Sequence, residues 1–246
     1  MTELPAGHLL LLSDVHAQYD VIDVQVAHAE QQLDMPVAQV LVLGDFGLFG
    51  DHLHRHFRRQ GQRFLRPVAF IEGNHEDFRT FDHLVRSFAD VITHLPRGSV
   101  LRAGERRCLC LGGARYMDAW STPPGCEVRG QDIEAALRFN PGTIDLVISH
   151  DCPSGIGVPS AAGFAHLGAP GVDGYAAIAA HLAPRLWVFG HHHRWHQRQV
   201  DGTRFIGLPQ SWEGYVVVAP DGEVTCVEHV VERPRPSRWR QWIGLR

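Results

Sequence analysis

Seven side chains able to hold a metal ion stand where apolar runs of this sequence stop. His8-Leu9-Leu10-Leu11-Leu12-Ser13 leads into Asp14, and Val40-Leu41-Val42-Leu43-Gly44 leads into Asp45. Val68-Ala69-Phe70-Ile71-Glu72-Gly73 leads into Asn74, Ile144-Asp145-Leu146-Val147-Ile148-Ser149 into His150, and Leu186-Trp187-Val188-Phe189-Gly190 into His191. His16 and His193 follow two residues after Asp14 and His191, a spacing from which both members of a pair can reach one centre. One such residue means little, because an Asp after a strand is commonly a turn or helix cap and a His there a hydrogen-bonding group. Five ends in order, two of them with partners, are hard to obtain by chance. Seven oxygen and imidazole donors exceed one zinc site and suit two first-row divalent ions. Ions about 3.5–4 Å apart need a bridging group, and Asp45, alone at its strand end, is the natural bridge. Asn74 is one of only two Asn in the chain; its amide oxygen can coordinate without adding negative charge.

These residues need a frame, and the sequence supplies it. Runs of four to six Leu and β-branched residues read as strands buried on both faces. Ile22, Val26, Ala29 and Leu33 predict a helix over 19–34. Further helices are expected at 51–63, 78–89, 130–139 and Tyr175–Leu182, the last stopped by Pro184. The alternation implies a layered α/β fold whose ligands sit beyond the carboxyl ends of the strands. Residues 152–174 hold six Gly and three Pro, a long loop. After it, strand-like pieces at 194–200, 203–207, 214–219 and 223–227, with tight turns at Asp201-Gly202 and Asp221-Gly222, suggest antiparallel strands finishing a sheet.

Composition narrows the chemistry. All 23 Lys+Arg positions among the 246 residues are Arg, which excludes Schiff-base chemistry and lysine-dependent phosphate loops. The net charge of −4 argues against binding nucleic acid over the whole surface. Five Cys without a C-x-x-C motif, Cys108 and Cys110 among them, read as unpaired structural thiols of a reducing compartment. No run reaches the roughly 18–20 apolar residues of a membrane span, and Met1–Pro5 lacks the start of a signal peptide. A cytoplasmic protein of one domain over 1–246 is expected.

Asp14-Val-His16, Gly44-Asp45, Gly73-Asn74-His75-Glu76, Ser149-His150-Asp151 and Gly190-His191-His192-His193 resemble, in order and spacing, the blocks of the calcineurin-like metallophosphoesterases. The resemblance runs from residue 8 to about 195, and Gly44-Asp45-Phe46-Gly47 with Gly112-Gly113-Ala114 is similar to small bacterial and phage members. It implies a four-layer α/β/β/α sandwich with mixed sheets and a dinuclear centre. Asp14, His16, Asp45 and His193 would hold one ion, and Asp45, Asn74, His150 and His191 the other. A hydroxide between the ions would be the nucleophile, and His75 would protonate the leaving oxygen. Manganese is the first expectation for the ions, with iron or zinc as alternatives. One departure stands out: Leu48 replaces the carboxylate that in many relatives orients the catalytic His. That leaves Asp77, Glu76 or a backbone carbonyl to hold His75, and it argues against the serine/threonine phosphoprotein phosphatase branch.

Arg115 and Tyr116 follow the apolar strand Cys108–Gly112, and Arg115 could clamp a phosphate or be a surface residue. His192 reads as a bystander; His52, His54 and His56 as rim residues; His166 as a loop residue with a chance of touching substrate. Residues 233–246 carry five Arg and two Trp and no acid. They form a basic arm that either packs on protein or contacts nucleic acid. The reading is a metal-dependent phosphoesterase, phosphomonoesterase or phosphodiesterase, acting on a small phosphate ester, a nucleotide or a nucleic-acid end, with no membrane partner. The alternative is a non-catalytic protein-binding scaffold on the same fold. Substrate and oligomeric state are left open.

Overall fold

The computed structural model describes residues 2–4, 7–103, 106–115, 122–161, 163 and 165–232. Its first half holds β1 (Thr2–Leu4), β2 (His8–Leu12), α1 (Asp20–Leu33), β3 (Val37–Leu43), α2 (Gly50–Leu53), β4 (Val68–Ile71) and α3 (Phe81–Ser87). Then come β5 (Thr93–His94), β6 (Val100–Ala103), β7 (Arg106–Leu111), α4 (Gly130–Leu137), β8 (Leu146–Ser149), α5 (Asp173–Leu182) and β9 (Leu186–Phe189). Two hairpins close the fold: β10 (His196–Val200) with β11 (Thr203–Gly207), and β12 (Gly214–Val218) with β13 (Val224–Glu228).

Because successive strand side chains point to opposite faces, apolar runs serve two cores at once. Leu9, Leu11, Leu41, Leu43, Ala69 and Ile71 face Cys108, Cys110, Leu146, Ile148 and Val188 between the two sheets. Leu10, Leu12, Val40, Val42 and Phe70 face outward onto Ile22, Val26 and Ala29 of α1 and Leu84 of α3. On the far side Val147, Trp187 and Phe189 pack on Tyr175, Ile178 and Leu182 of α5 and Ala136 of α4. Three cores between four layers make the α/β/β/α sandwich. Cys108 and Cys110 are buried and unpaired, as read from their alternation.

Both sheets are mixed. One runs β13-β12-β2-β3-β4-β5 and the other β1-β6-β7-β8-β9-β11-β10. The strands β2, β3 and β4 are adjacent and parallel, as are β7, β8 and β9, so the five donor-bearing ends emerge at neighbouring positions. The last four strands depart from expectation. They finish both sheets, since β11 runs parallel beside β9 and β12 antiparallel beside β2. The helix expected at 51–63 is only the short α2, which passes into π-type winding over His54–Arg59. Asp201 and Gly202 have φ of 45° and 86°, the left-handed pair that a tight hairpin turn demands. No helix among the described residues is long and apolar enough to cross a membrane.

Candidate metal centre

The backbone itself marks the strand ends. Asp14, His16, Asp45, His191 and His193 have φ of 56°, 48°, 48°, 66° and 50°. Side chains seldom enter this left-handed region, and such strain gathers at functional sites. Interlocking loops hold it in place: the amides of Asp14, His16 and Ala17 donate to the carbonyls of Gly44, Asp45 and Phe46 at 3.2, 2.8 and 3.1 Å. Gly44, with φ of 84°, is required where it stands, because a Cβ there would fall inside the His150 ring.

The donors converge. Asp14, His16, Asp45 and His193 offer ligand atoms that all lie within 4.8 Å of one another. His193 Nε2 lies 3.0 Å from Asp14 Oδ1, and His16 Nε2 lies 3.9 Å from the same oxygen and 3.8 Å from Asp45 Oδ2. On the other side of Asp45, His150 Nε2 stands 3.4 Å from its Oδ1 and 3.0 Å from Asn74 Oδ1. The rings of His150 and His191 are 4.9 Å apart. Asp45 thus has donors of both sets around it.

Supporting bonds aim these groups. The His150 ring pairs through Nδ1 with the Leu43 carbonyl at 2.9 Å, leaving the Nε2 lone pair for the site. Ser13 Oγ donates to Asp14 Oδ2 at 2.6 Å, and the His191 amide donates to the same oxygen at 3.0 Å. Asp45 Oδ1 accepts the amides of Asn74 and His75, both at 2.8 Å. Burial lowers His191 to about 4 and also lowers His16, so both are neutral imidazoles near pH 7. Burial works to lower His193 too, but its bond to Asp14 raises it overall. Burial would raise Asp14 and Asp45, yet the surrounding imidazoles hold both below the usual carboxylate range. Buried carboxylates, an amide oxygen and imidazoles in one place suit divalent first-row ions.

His75 lies over this group, not in it. Its ring is 44% exposed, Nε2 is 4.0 Å from Asp45 Oδ2, and it meets the His16 ring edge-on at 5.3 Å. Neither acid proposed to hold it does so. Asp77 accepts the Thr80 hydroxyl at 2.7 Å and the Arg79 amide at 3.2 Å. Glu76, buried, turns away to accept the amides of Phe46, Gly47 and Leu48 at 2.9, 3.0 and 2.5 Å. Leu48 is fully buried in the core beneath α1, so this position serves packing.

Arg115 is committed elsewhere than expected: its two terminal nitrogens donate to the carbonyls of Ala169 and Leu167 at 2.7 and 2.9 Å. The side chain thus ties down the loop at 167–169. His192 is no bystander. Its Nε2 bonds Asp151 at 3.0 Å, a buried carboxylate that also accepts the amides of Arg115 and Cys152 at 2.9 and 2.7 Å. One side chain thereby fastens the loops after β7, β8 and β9. Asp151 was hidden in the sequence as the third residue of the Ser-His-Asp block. Among the other histidines, His52, His54 and His166 are exposed, while His56 is buried against Tyr19 and Phe57. Tyr116 and the basic arm at 233–246 lie outside the described residues.

Two mixed sheets carrying acids and histidines at adjoining strand ends define a metallophosphoesterase. A sequence model described as calcineurin-like phosphoesterase matches residues 7–195, and the chain belongs to that family. A comparison with curated proteins finds no match. Among solved structures, the chain is similar to TT1561 of Thermus thermophilus, with a TM-score of 0.57 at 11% identity over 91% of this chain and 99% of that one. It is also similar to the phosphopantetheinyl hydrolase of Mycobacterium tuberculosis, with a TM-score of 0.52 at 14% identity over 86% and 92%. At these identities the likeness is one of fold.

Proposed function

We propose that this chain hydrolyses phosphate esters with two divalent ions. Asp14, His16, Asp45 and His193 would hold one, and Asp45, Asn74, His150 and His191 the other, with Asp45 shared. The observation that carries the reading is the gathering of left-handed Asp and His residues, the two acids buried, from both sheets around Asp45. Bound there, such ions supply Lewis acidity toward phosphate oxygens and water. The chain's own part is to orient and to move a proton. Backbone amides and Ser13 fix Asp14 and Asp45, and the Leu43 carbonyl fixes the His150 ring. His75, exposed and beside Asp45, is suited to give a proton to the departing oxygen. Manganese is the first candidate metal, and five unpaired thiols fit a reducing cytoplasm. The substrate would be a small phosphate ester, a nucleotide or a nucleic-acid end.

The test is metal content by elemental analysis together with p-nitrophenol release from mono- and bis-p-nitrophenyl phosphate with Mn²⁺, Zn²⁺ or Fe²⁺ added. Two ions per chain and turnover of at least one ester are expected. No metal and no turnover would overturn the reading and leave a binding scaffold on the same fold.

A further inference from the structure

A cleft of about 510 Å³ is lined in part by the chain on either side of Asn74, from Glu72 and from Phe78 to Arg86. Glu72, two residues before Asn74, forms its floor together with His94 and Arg97. There Glu72 accepts from Arg97 and pairs with His94 at 2.9 Å. Arg97 is also bound to the carbonyls of Gly125, Cys126 and Glu127, so its charge belongs to the fold. Phe78 and Phe81 form an apolar wall, their rings 5.6 Å apart and only 7° from parallel.

The mouth is different. Arg79 and Arg86 line it, both exposed, and neither guanidinium has an ion-pair or hydrogen-bond partner among the described residues. Arg58, also exposed, is by contrast paired with Asp90. Asp82 is the exposed carboxylate of this rim. Among the described residues, two guanidiniums without an acid stand against one exposed carboxylate at this mouth, in a chain whose net charge is −4. Arg79 is four residues beyond His75, which four residues of chain can span in at most about 14 Å.

An aromatic wall with free guanidiniums beside it matches one ligand chemistry: a planar ring joined to a phosphate. We propose that this cleft receives the nucleoside flanking the scissile phosphate, its base against the Phe78–Phe81 wall and its far phosphate between Arg79 and Arg86. The substrate class is then a nucleotide phosphodiester with a second phosphate. This rests on the phosphoesterase reading for its placement but not for its chemistry.

The test uses two compounds, thymidine 3′-(p-nitrophenyl phosphate) with and without a 5′-phosphate. Water cleaves the same P–O bond in each and releases the same p-nitrophenolate, so they differ only in the second phosphate. The 5′-phosphorylated compound should have a KM lower by about tenfold, the worth of a charge-assisted contact. Arg79→Gln with Arg86→Gln should bring the KM ratio to about one, and Arg→Glu at both should invert it. Equal KM values in the wild type, or a ratio that survives the double substitution, would overturn the proposal. Equilibrium dialysis of the same pair with chelated protein separates the two readings. Preference for the phosphorylated compound there supports the cleft even where no turnover occurs, and equal binding sinks it. Competition by a phosphoserine peptide as strong as that by thymidine 3′,5′-bisphosphate would overturn the nucleotide assignment.

Discussion

At the scale of single residues, His75 and Asp45 differ in kind although they stand 4.0 Å apart. His75 is exposed, and among the described residues no carboxylate lies within hydrogen-bond distance of its ring. As a proton donor it matters most where the leaving oxygen is basic. His75→Ala should slow hydrolysis of alkyl or nucleoside esters by about 10²–10⁴-fold and that of p-nitrophenyl esters far less, with metal content unchanged. Equal slowing for both would make it a phosphate-binding residue, and loss of metal would make it a ligand. On the proposed two-ion reading Asp45 serves both donor sets, so Asp45→Asn should remove more metal and activity than Asn74→Ala or His193→Ala. Retention of two tightly bound ions with normal turnover would refute the shared position. His191 lends itself to a pH test. Its ordinary value of 6.5 falls to about 4 on folding, so between these limits the unfolded chain binds the extra proton. Stability therefore declines as pH drops from 6.5 toward 4, by about 3 kcal/mol at most. Urea unfolding of chelated protein across that range should show the decline, and His191→Gln should flatten it; an unchanged slope in the variant would exonerate His191.

At the scale of elements, the donor-bearing loops are held by exchanged carboxylates. Asp45, after β3, accepts the amides of Asn74 and His75, while Glu76, after β4, accepts those of Phe46, Gly47 and Leu48. Burial and the Asp45 charge push Glu76 up to about 8, yet a proton on either oxygen would have to displace one of these donors. Glu76→Gln puts an NH₂ against buried N–H groups and should cost about 2–4 kcal/mol in urea unfolding, with weaker metal binding. A cost under about 0.5 kcal/mol, the range of ordinary surface changes, would mean that the clamp carries no strain. This clamp shows why legibility was uneven. Strands β2, β3, β4, β8 and β9 were readable because burial on both faces writes an unbroken apolar run, and the donors because each ends such a run. The edge strands β1 and β5, and β6 between β1 and β7, are too short or too polar to do so. The π-type winding at His54–Arg59 sets Phe57 and His56 against Tyr19, contacts too distant in sequence for a local pattern to show. Glu76 and Asp151 each sit beside a recognised donor, but their partners lie 28–30 and 36–41 residues away, beyond any local pattern.

At the scale of the whole molecule, the two sheets meet at the donors. Asp14, Asp45 and Asn74 hang from β2, β3 and β4 of one sheet, and His150, His191 and His193 from β8 and β9 of the other. The inter-sheet core holds the layers together along their length, but at this end the contact is made by polar side chains. Ions bound here would tie one sheet to the other, and the unfolded chain has no such site. Linkage then requires metal to stabilise the fold by RT ln(1 + [M]/Kd), about 2.7 kcal/mol at a hundredfold excess over Kd. For a chain of this length that corresponds to a rise in Tm of roughly 5–10 °C. Thermal unfolding followed with and without Mn²⁺, against a chelated reference, should show Tm climbing with the logarithm of metal concentration. Asp45→Asn, which weakens both donor sets, should abolish most of that dependence, whereas Arg79→Gln, outside them, should leave the metal response intact. A Tm indifferent to metal in the wild type would mean that the donor ends are held together without ions. An undiminished response in Asp45→Asn would mean that the stabilising ion binds elsewhere.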